Sequence, residues 1–325
     1  MKMTAIGPNR ELHPALIHGM MRTVHLSVEE LIELLEYDLE NGLTFLDTSD
    51  IYADGYCEEL LGKAFSAAGS LRKKFTLQSK CGIRRSPKGF TYYDFSTEYI
   101  LKAADESLRR MQTDYMDYYL LHRPDALFEP EEVAEAFDKL KQSGKVLRFG
   151  VSNMNKSQLE NLMYHVRQPI ELNQLQFSPA HTLLIDSAIM TNRVESLSLD
   201  HDQGVLNFCR AKNCTIQAWS PFRAAKSEFS GGLIDRFARK IETRSYLNNE
   251  EFPMLNDTLN MIGDRYSVSA GAIVIAWILR HPADMQVVLG SSNTSRIRDA
   301  LDGLNVTLTR EEWYEIYLSA GNIVP

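Results

Sequence analysis

Residues 43–80 read LTFLDTSDIYADGYCEELLGKAFSAAGSLRKKFTLQSK. Two apolar runs bracket the stretch, LTFLD at 43–47 and FTLQSK at 75–80. Between them, CEELLGKAFS carries a helical pattern. The segment therefore reads as strand, helix, strand. A crossover helix between consecutive strands makes those strands parallel.

The unit recurs in both directions. Further β-rich runs stand at 15–21, 116–122, 146–152, 170–176, 214–220 and 285–291. An amphipathic stretch follows each. SVEELIELLEYDLENG follows the first, with Leu31, Leu34 and Leu35 on one face. Ser27 and Glu30 form an S-x-x-E capping box there, and Gly42 stands where a helix ends. A Gly-, Pro- and Tyr-rich loop precedes the helix STEYILKAADESLRRM. Pro130 opens the helix after the fourth run, a position that needs no backbone N–H. The chain closes on TREEWYEIYLSA, capped by Thr309 with Glu312 three residues on.

Eight strand–helix units predict an α/β fold, a (β/α)8 TIM barrel forming a single domain over 1–325, with a long insertion after strand seven, from Phe222 to about Asn256. The rival is a doubly wound open sheet. A dinucleotide-binding sheet of that kind carries G-x-G-x-x-G after its first strand, and this sequence has none there. The eight runs share no sequence identity, so the repeat is structural only.

Lys and Arg number 35 against 43 Asp and Glu, a net charge of −8. An acidic chain with no basic cluster argues against a nucleic-acid partner. No apolar stretch reaches the ~18 residues of a membrane span, and MKMTAIGPNRELHP has no signal-peptide core. Cys57, Cys81, Cys209 and Cys214 lack metal-ligand spacing and read as free thiols in a reducing, cytoplasmic setting. No metal site is expected.

In such a barrel, chemistry gathers at the C-terminal ends of the strands. Those ends carry Asp47 with Tyr52 five residues on, then Lys80, His122, Ser152 and Asn153. Gln174, Trp219, Ser220 and Ser291 follow, with Arg296 a turn beyond. Each alone has a commonplace role as turn residue, core filler or snorkelling cation. Together they describe a reactive rim. A Lys at the end of a buried run needs a carboxylate, and Asp47 on the adjacent strand is the candidate. A cationic Lys80 beside a phenol pulls the phenol pKa down from about 10. That suits Tyr52 to general-acid work, with His122 orienting a carbonyl oxygen.

These residues resemble the aldo-keto reductase family. The matching segments are FLDTSDIY, LQSKCG, LLHRPD, KVLRFGVSN, LNQLQ, QAWSPF and VVLGSSNTSRI, across roughly residues 15–320. DIY-x-x-x-YCE and SKCGI look closest to a bacterial branch of predicted oxidoreductases. The resemblance implies an NADP-dependent carbonyl reductase with Asp47, Tyr52, Lys80 and His122 as its catalytic tetrad. It implies Ser152, Asn153 and Gln174 at the nicotinamide carboxamide and Trp219 stacked on the ring. Ser220 is implied near the pyrophosphate, Ser291 and Arg296 at the adenosine phosphate, and Asp299 near the adenine. Gly19 and Arg22 border the cofactor, and Asp47 belongs to both lists.

Many relatives carry Lys where this chain has Gly290, and often Asn where it has Ala300. NADP is still favoured over NAD, because Arg296 is kept. The basic stretch FRAAKSEFSGG either folds over the cofactor or is a surface excursion. Met20, Met21, Tyr56, Tyr92, Tyr93, Phe95 and Phe222 are candidate walls of an apolar site. The partner is a small carbonyl compound, and the resemblance suggests a monomer or weak homodimer. The same fold also serves regulatory subunits that sense nicotinamide redox state with slow turnover. That is the alternative reading.

Overall fold

The computed structural model describes residues 1–225 and 243–325. Eight parallel strands close into a barrel. They are β1 (Leu16–Gly19), β2 (Phe45–Asp47), β3 (Thr76–Cys81), β4 (Met116–Leu121), β5 (Val146–Ser152), β6 (Ile170–Gln176), β7 (Thr215–Trp219) and β8 (Gln286–Leu289). Each expected run holds a strand, trimmed by a residue or more at several ends. Closure is made by β8 against β1, with Val288 opposite Ile17. At Gly19 the two strands approach so closely that a Cβ would come 2.9 Å from the Leu289 carbonyl oxygen.

The helices are α1 (Val28–Glu40), α2 (Tyr56–Ala67), α3 (Thr97–Met111), α4 (Pro130–Gln142), α5 (Lys156–His165), α6 (Leu183–Ile189), α7 (Val205–Lys212), α8 (Pro253–Tyr266), α9 (Ala270–Arg280), α10 (Thr294–Asp302) and α11 (Arg310–Ser319). Both expected capping boxes are present, Ser27 with Glu30 and Thr309 with Glu312. A third pairs Asn155 with Gln158. Among the described residues no single helix is long and apolar enough to cross a membrane. α8 and α9 are so only as a pair bent by 90°, and Ala272–Ile278 of α9 is buried in the molecule's own core.

Strand alternation fills the barrel in layers. At the N-terminal end Phe45 stacks on Tyr118 with centroids 5.6 Å apart, and His13 meets both edge-on. His13 belongs to a hairpin, Met3–Ile6 against Glu11–Pro14, that closes this end. The next layer is polar: Gln78, Gln217 and Gln286 are each 0% exposed. Their amides run as a chain, Gln217 to Gln78 at 3.1 Å, Gln217 to Gln286 at 3.0 Å and Gln286 to the Pro14 carbonyl at 2.7 Å. Above this floor lie the strand ends that carry the candidate residues.

The loop expected before α3 forms a second hairpin, Ile83–Arg85 against Thr91–Tyr93. After β7, Arg223–Ala225 pairs antiparallel with Thr243–Ser245. Tyr246 is buried and donates to the Pro221 carbonyl. α8 starts at Pro253, ahead of the expected end of the insertion. Residues 226–242, which include most of FRAAKSEFSGG, lie outside the described residues.

Candidate active site

Thr76, Gln78 and Lys80 alternate inward along β3, so a charged side chain enters the barrel at its mouth. Lys80 is fully buried and lies 2.7 Å from the Asp47 carboxylate. Its Nζ also donates to the Thr48 carbonyl at 2.8 Å and to the Tyr52 hydroxyl at 3.1 Å. All three ammonium protons have acceptors, which a buried cation requires. Asp47 is held from the other side by Gln78 Nε2 at 2.5 Å and Gln174 Nε2 at 3.1 Å. The glutamine floor thus fixes Asp47, and Asp47 fixes Lys80.

Tyr52 opens a tight turn in which Ala53 and Asp54 take left-handed backbone angles. That turn swings the ring back over Lys80, with Nζ 4.9 Å from the ring centre. His122 follows β4 and meets the Tyr52 ring edge-on at 5.7 Å. Its Nδ1 lies 3.0 Å from the Ser49 hydroxyl. Ser49 Oγ also lies 3.2 Å from one Asp50 oxygen, and Tyr99 donates to the other. The four expected tetrad residues therefore stand together.

Protonation follows from the surroundings. Burial pushes the His122 pKa well below its usual value, and the Lys80 and Arg123 cations push it further, so the ring is neutral. Burial alone would lower Lys80, but Asp47 and the Tyr52 oxygen outweigh it and raise its pKa. Tyr52 departs from the sequence reading. Its net shift is upward, because burial outweighs the opposing pull of Lys80. Lys80 thus limits the rise instead of bringing the phenol towards neutrality. The site presents a protonated phenol, a charged ammonium and a neutral imidazole.

The other expected residues form two groups. Ser152 donates to the Gln174 carbonyl at 2.9 Å, and Asn153 donates to Ser152 Oγ at 2.7 Å. Asn153 has a φ of 61° and Ser220 of 54°, so both strand ends turn sharply at the rim. The Trp219 indole N–H is buried without a partner among the described residues. The second group lies at the β1–β8 edge. Asn293 caps α10 through the backbone N–H groups of Ser295 and Arg296. Arg223 and Arg296 stand near enough to Arg22 to lower its pKa, after burial. Ser291 is pinned from below by His18, whose Nε2 donates to its carbonyl at 2.9 Å. The other His18 nitrogen meets Asp38 at 2.5 Å. Asp299, a turn further along α10, is half-buried and tied to none of these residues.

The sequence reading passed over Ser49, Arg223, His18 and the three floor glutamines. A glutamine in a short strand looks like a surface position until the barrel closes around it. Met20 and Phe95, expected as pocket walls, are core residues at 0% exposure. A cleft of about 210 Å³ between Ala5, Arg10, Arg210 and Asp284 lies at the opposite end and touches none of the candidates. Among the described residues no group of three His, Cys, Asp or Glu side chains could hold a metal.

A family model described as the aldo/keto reductase family matches residues 15–317. The chain belongs to the aldo/keto reductase family. The family match spans every barrel strand and both polar groups at the rim. A 6-dehydroglucose reductase of Agrobacterium fabrum is 34% identical, with 98% of each chain covered. The uncharacterized oxidoreductase YcsN of Bacillus subtilis is 32% identical over 93% of this chain and 92% of that protein. An aldo/keto reductase of Klebsiella pneumoniae, solved with NADP and acetate, superposes with a TM-score of 0.69 at 22% identity, covering 99% of this chain and 96% of its own. At that identity the last likeness is one of fold.

Proposed function

We propose that this aldo/keto reductase reduces an aldehyde or ketone to an alcohol with NADPH, and that Tyr52 is its proton donor. The observation that carries the reading is Lys80, fully buried, bridging Asp47 at 2.7 Å and Tyr52 at 3.1 Å. No structural need puts an ion pair and a phenol at a barrel mouth, where burial is costly.

The residues present fit a nicotinamide dinucleotide phosphate. Ser152, Asn153 and Gln174 offer amide and hydroxyl groups to a carboxamide. Among the described residues the Trp219 indole N–H lacks an acceptor, and its ring lies beneath the Arg123 guanidinium on the strand that pairs with that of Gln174. Arg22 and Arg296 bring positive charge to the α10 N-terminus, where backbone N–H groups favour phosphate. Gly290 supplies no further cation, so Arg296 carries the preference for NADP over NAD. When bound, the cofactor supplies the hydride. The protein's own residues do the rest. Tyr52 holds a proton at Oη and gives it to the carbonyl oxygen. Lys80 Nζ, 3.1 Å from that Oη, stabilises the phenolate left behind. Neutral His122, whose Nδ1 accepts the Ser49 hydroxyl proton, directs its Nε2–H at the same oxygen.

Tyr52→Phe removes the proton and keeps the ring. NADPH consumption with a carbonyl substrate should fall by roughly 10²–10⁴-fold, while NADPH affinity stays near that of the parent. Retention of most turnover in Tyr52→Phe would overturn the assignment. Rapid multiple turnover by the parent also separates this reading from a redox-sensing regulatory role.

A further inference from the structure

Arg123 follows His122 on the loop after β4, and no step above uses it. Its guanidinium lies 5.5 Å from the centre of the Trp219 ring. Trp219 itself packs on the apolar cluster inside the barrel. The head group therefore stands over the barrel mouth. It is close enough to His122 to depress the imidazole, and close enough to Tyr52 and Tyr93 to be influenced by both phenols. It is half-buried, and burial lowers its own pKa.

Among the described residues no carboxylate pairs with it. The nearby acids are committed elsewhere. Asp47 holds Lys80, and Asp94 holds Arg84. Asp125 accepts from the backbone N–H groups of Phe95 and Leu127. Asp50 accepts from Tyr99 and lies against Ser49 Oγ. A guanidinium does not shed its proton at neutral pH, so the charge persists, half-desolvated and matched by no described carboxylate. Hydride and proton transfer to a plain carbonyl require no cation here, since Tyr52 and His122 serve the oxygen. The fork of Arg matches a carboxylate bidentately, and burial strengthens that pairing.

We propose that Arg123 binds an oxyanion group on the substrate, of which carboxylate is the simplest, so that the enzyme selects keto or aldehydo acids over their neutral analogues. This rests on the reductase reading. The test measures kcat/KM with NADPH for 4-carboxybenzaldehyde and for succinic semialdehyde, each against its methyl ester, in the parent, Arg123→Leu and Arg123→Lys. The parent should favour at least one acid over its ester. Arg123→Leu should reduce that preference on the order of thirty-fold or more, and Arg123→Lys should keep part of it. A ratio taken within one protein is insensitive to a misfolded fraction. An acid preference absent from both pairs in the parent, or undiminished in Arg123→Leu, overturns the proposal and leaves the reductase reading standing. If neither acids nor esters consume NADPH, the reductase reading falls and this proposal falls with it.

Discussion

At the scale of single residues, the ion pair beneath Tyr52 has energetic consequences that can be measured. Lys80→Met leaves the Asp47 carboxylate, 2% exposed, without its cation. The expected cost is about 3–5 kcal/mol, read as a lower urea midpoint. The double variant Asp47→Asn/Lys80→Met should recover part of it, and a single variant within ~1 kcal/mol of the parent would contradict the burial argument. Asp50 gives a pH-dependent prediction. Burial, with Glu58 adding to it, pushes its carboxyl up from 3.8 to about 7. A folded pKa above the unfolded one means that the folded state holds the proton more tightly. That contribution is full below 3.8, declines as pH rises and is gone above about 7. The stability advantage of Asp50→Asn over the parent should therefore widen from pH 4 to pH 7 and then level off. Urea titrations across that range check it, and a constant difference would show that the carboxyl titrates normally.

At the scale of elements, local signals were legible where they are self-contained. The Ser27–Glu30 and Thr309–Glu312 boxes need only their own four residues, and both formed. Ser27→Ala should cost about 1 kcal/mol, seen as a lower melting temperature with the barrel retained by circular dichroism. No change would mean that packing of Leu31, Leu34 and Leu35 alone holds α1 in place. The hairpins Met3–Ile6/Glu11–Pro14 and Ile83–Arg85/Thr91–Tyr93 were not legible. Their strands are three or four residues long, and neither has a two-residue Asn-Gly or Asp-Gly turn to announce it. The strand ends were legible as polar residues after apolar runs. The layer that holds them was not, because only barrel closure brings Gln78, Gln217 and Gln286 to one level. The direction of the Tyr52 shift was missed for a related reason: sequence shows a neighbouring lysine but not how much water burial removes.

For the whole molecule, closure of β8 on β1 brings the two ends of the chain's chemistry together. Asp47 and Lys80 come from the first quarter of the chain, Arg296 from the last tenth, and the proposed cofactor spans both. A ligand that binds only the folded barrel stabilises it by mass action. NADPH at about a hundred times its Kd should add roughly 2.7 kcal/mol, visible as a higher melting temperature. NADH should add less, because Arg296 gains nothing from it. The most direct test is a tryptophan-fluorescence titration with NADPH and NADH in the parent, Arg296→Ala and Trp219→Phe. The account predicts quenching by NADPH at lower concentrations than NADH, a loss of that difference in Arg296→Ala, and a smaller amplitude in Trp219→Phe, since Trp277 and Trp313 stack on each other at 4.8 Å, Trp277 being fully buried in the core. No quenching by either nucleotide would contradict it and leave the Asp47–Lys80–Tyr52 cluster in need of another ligand.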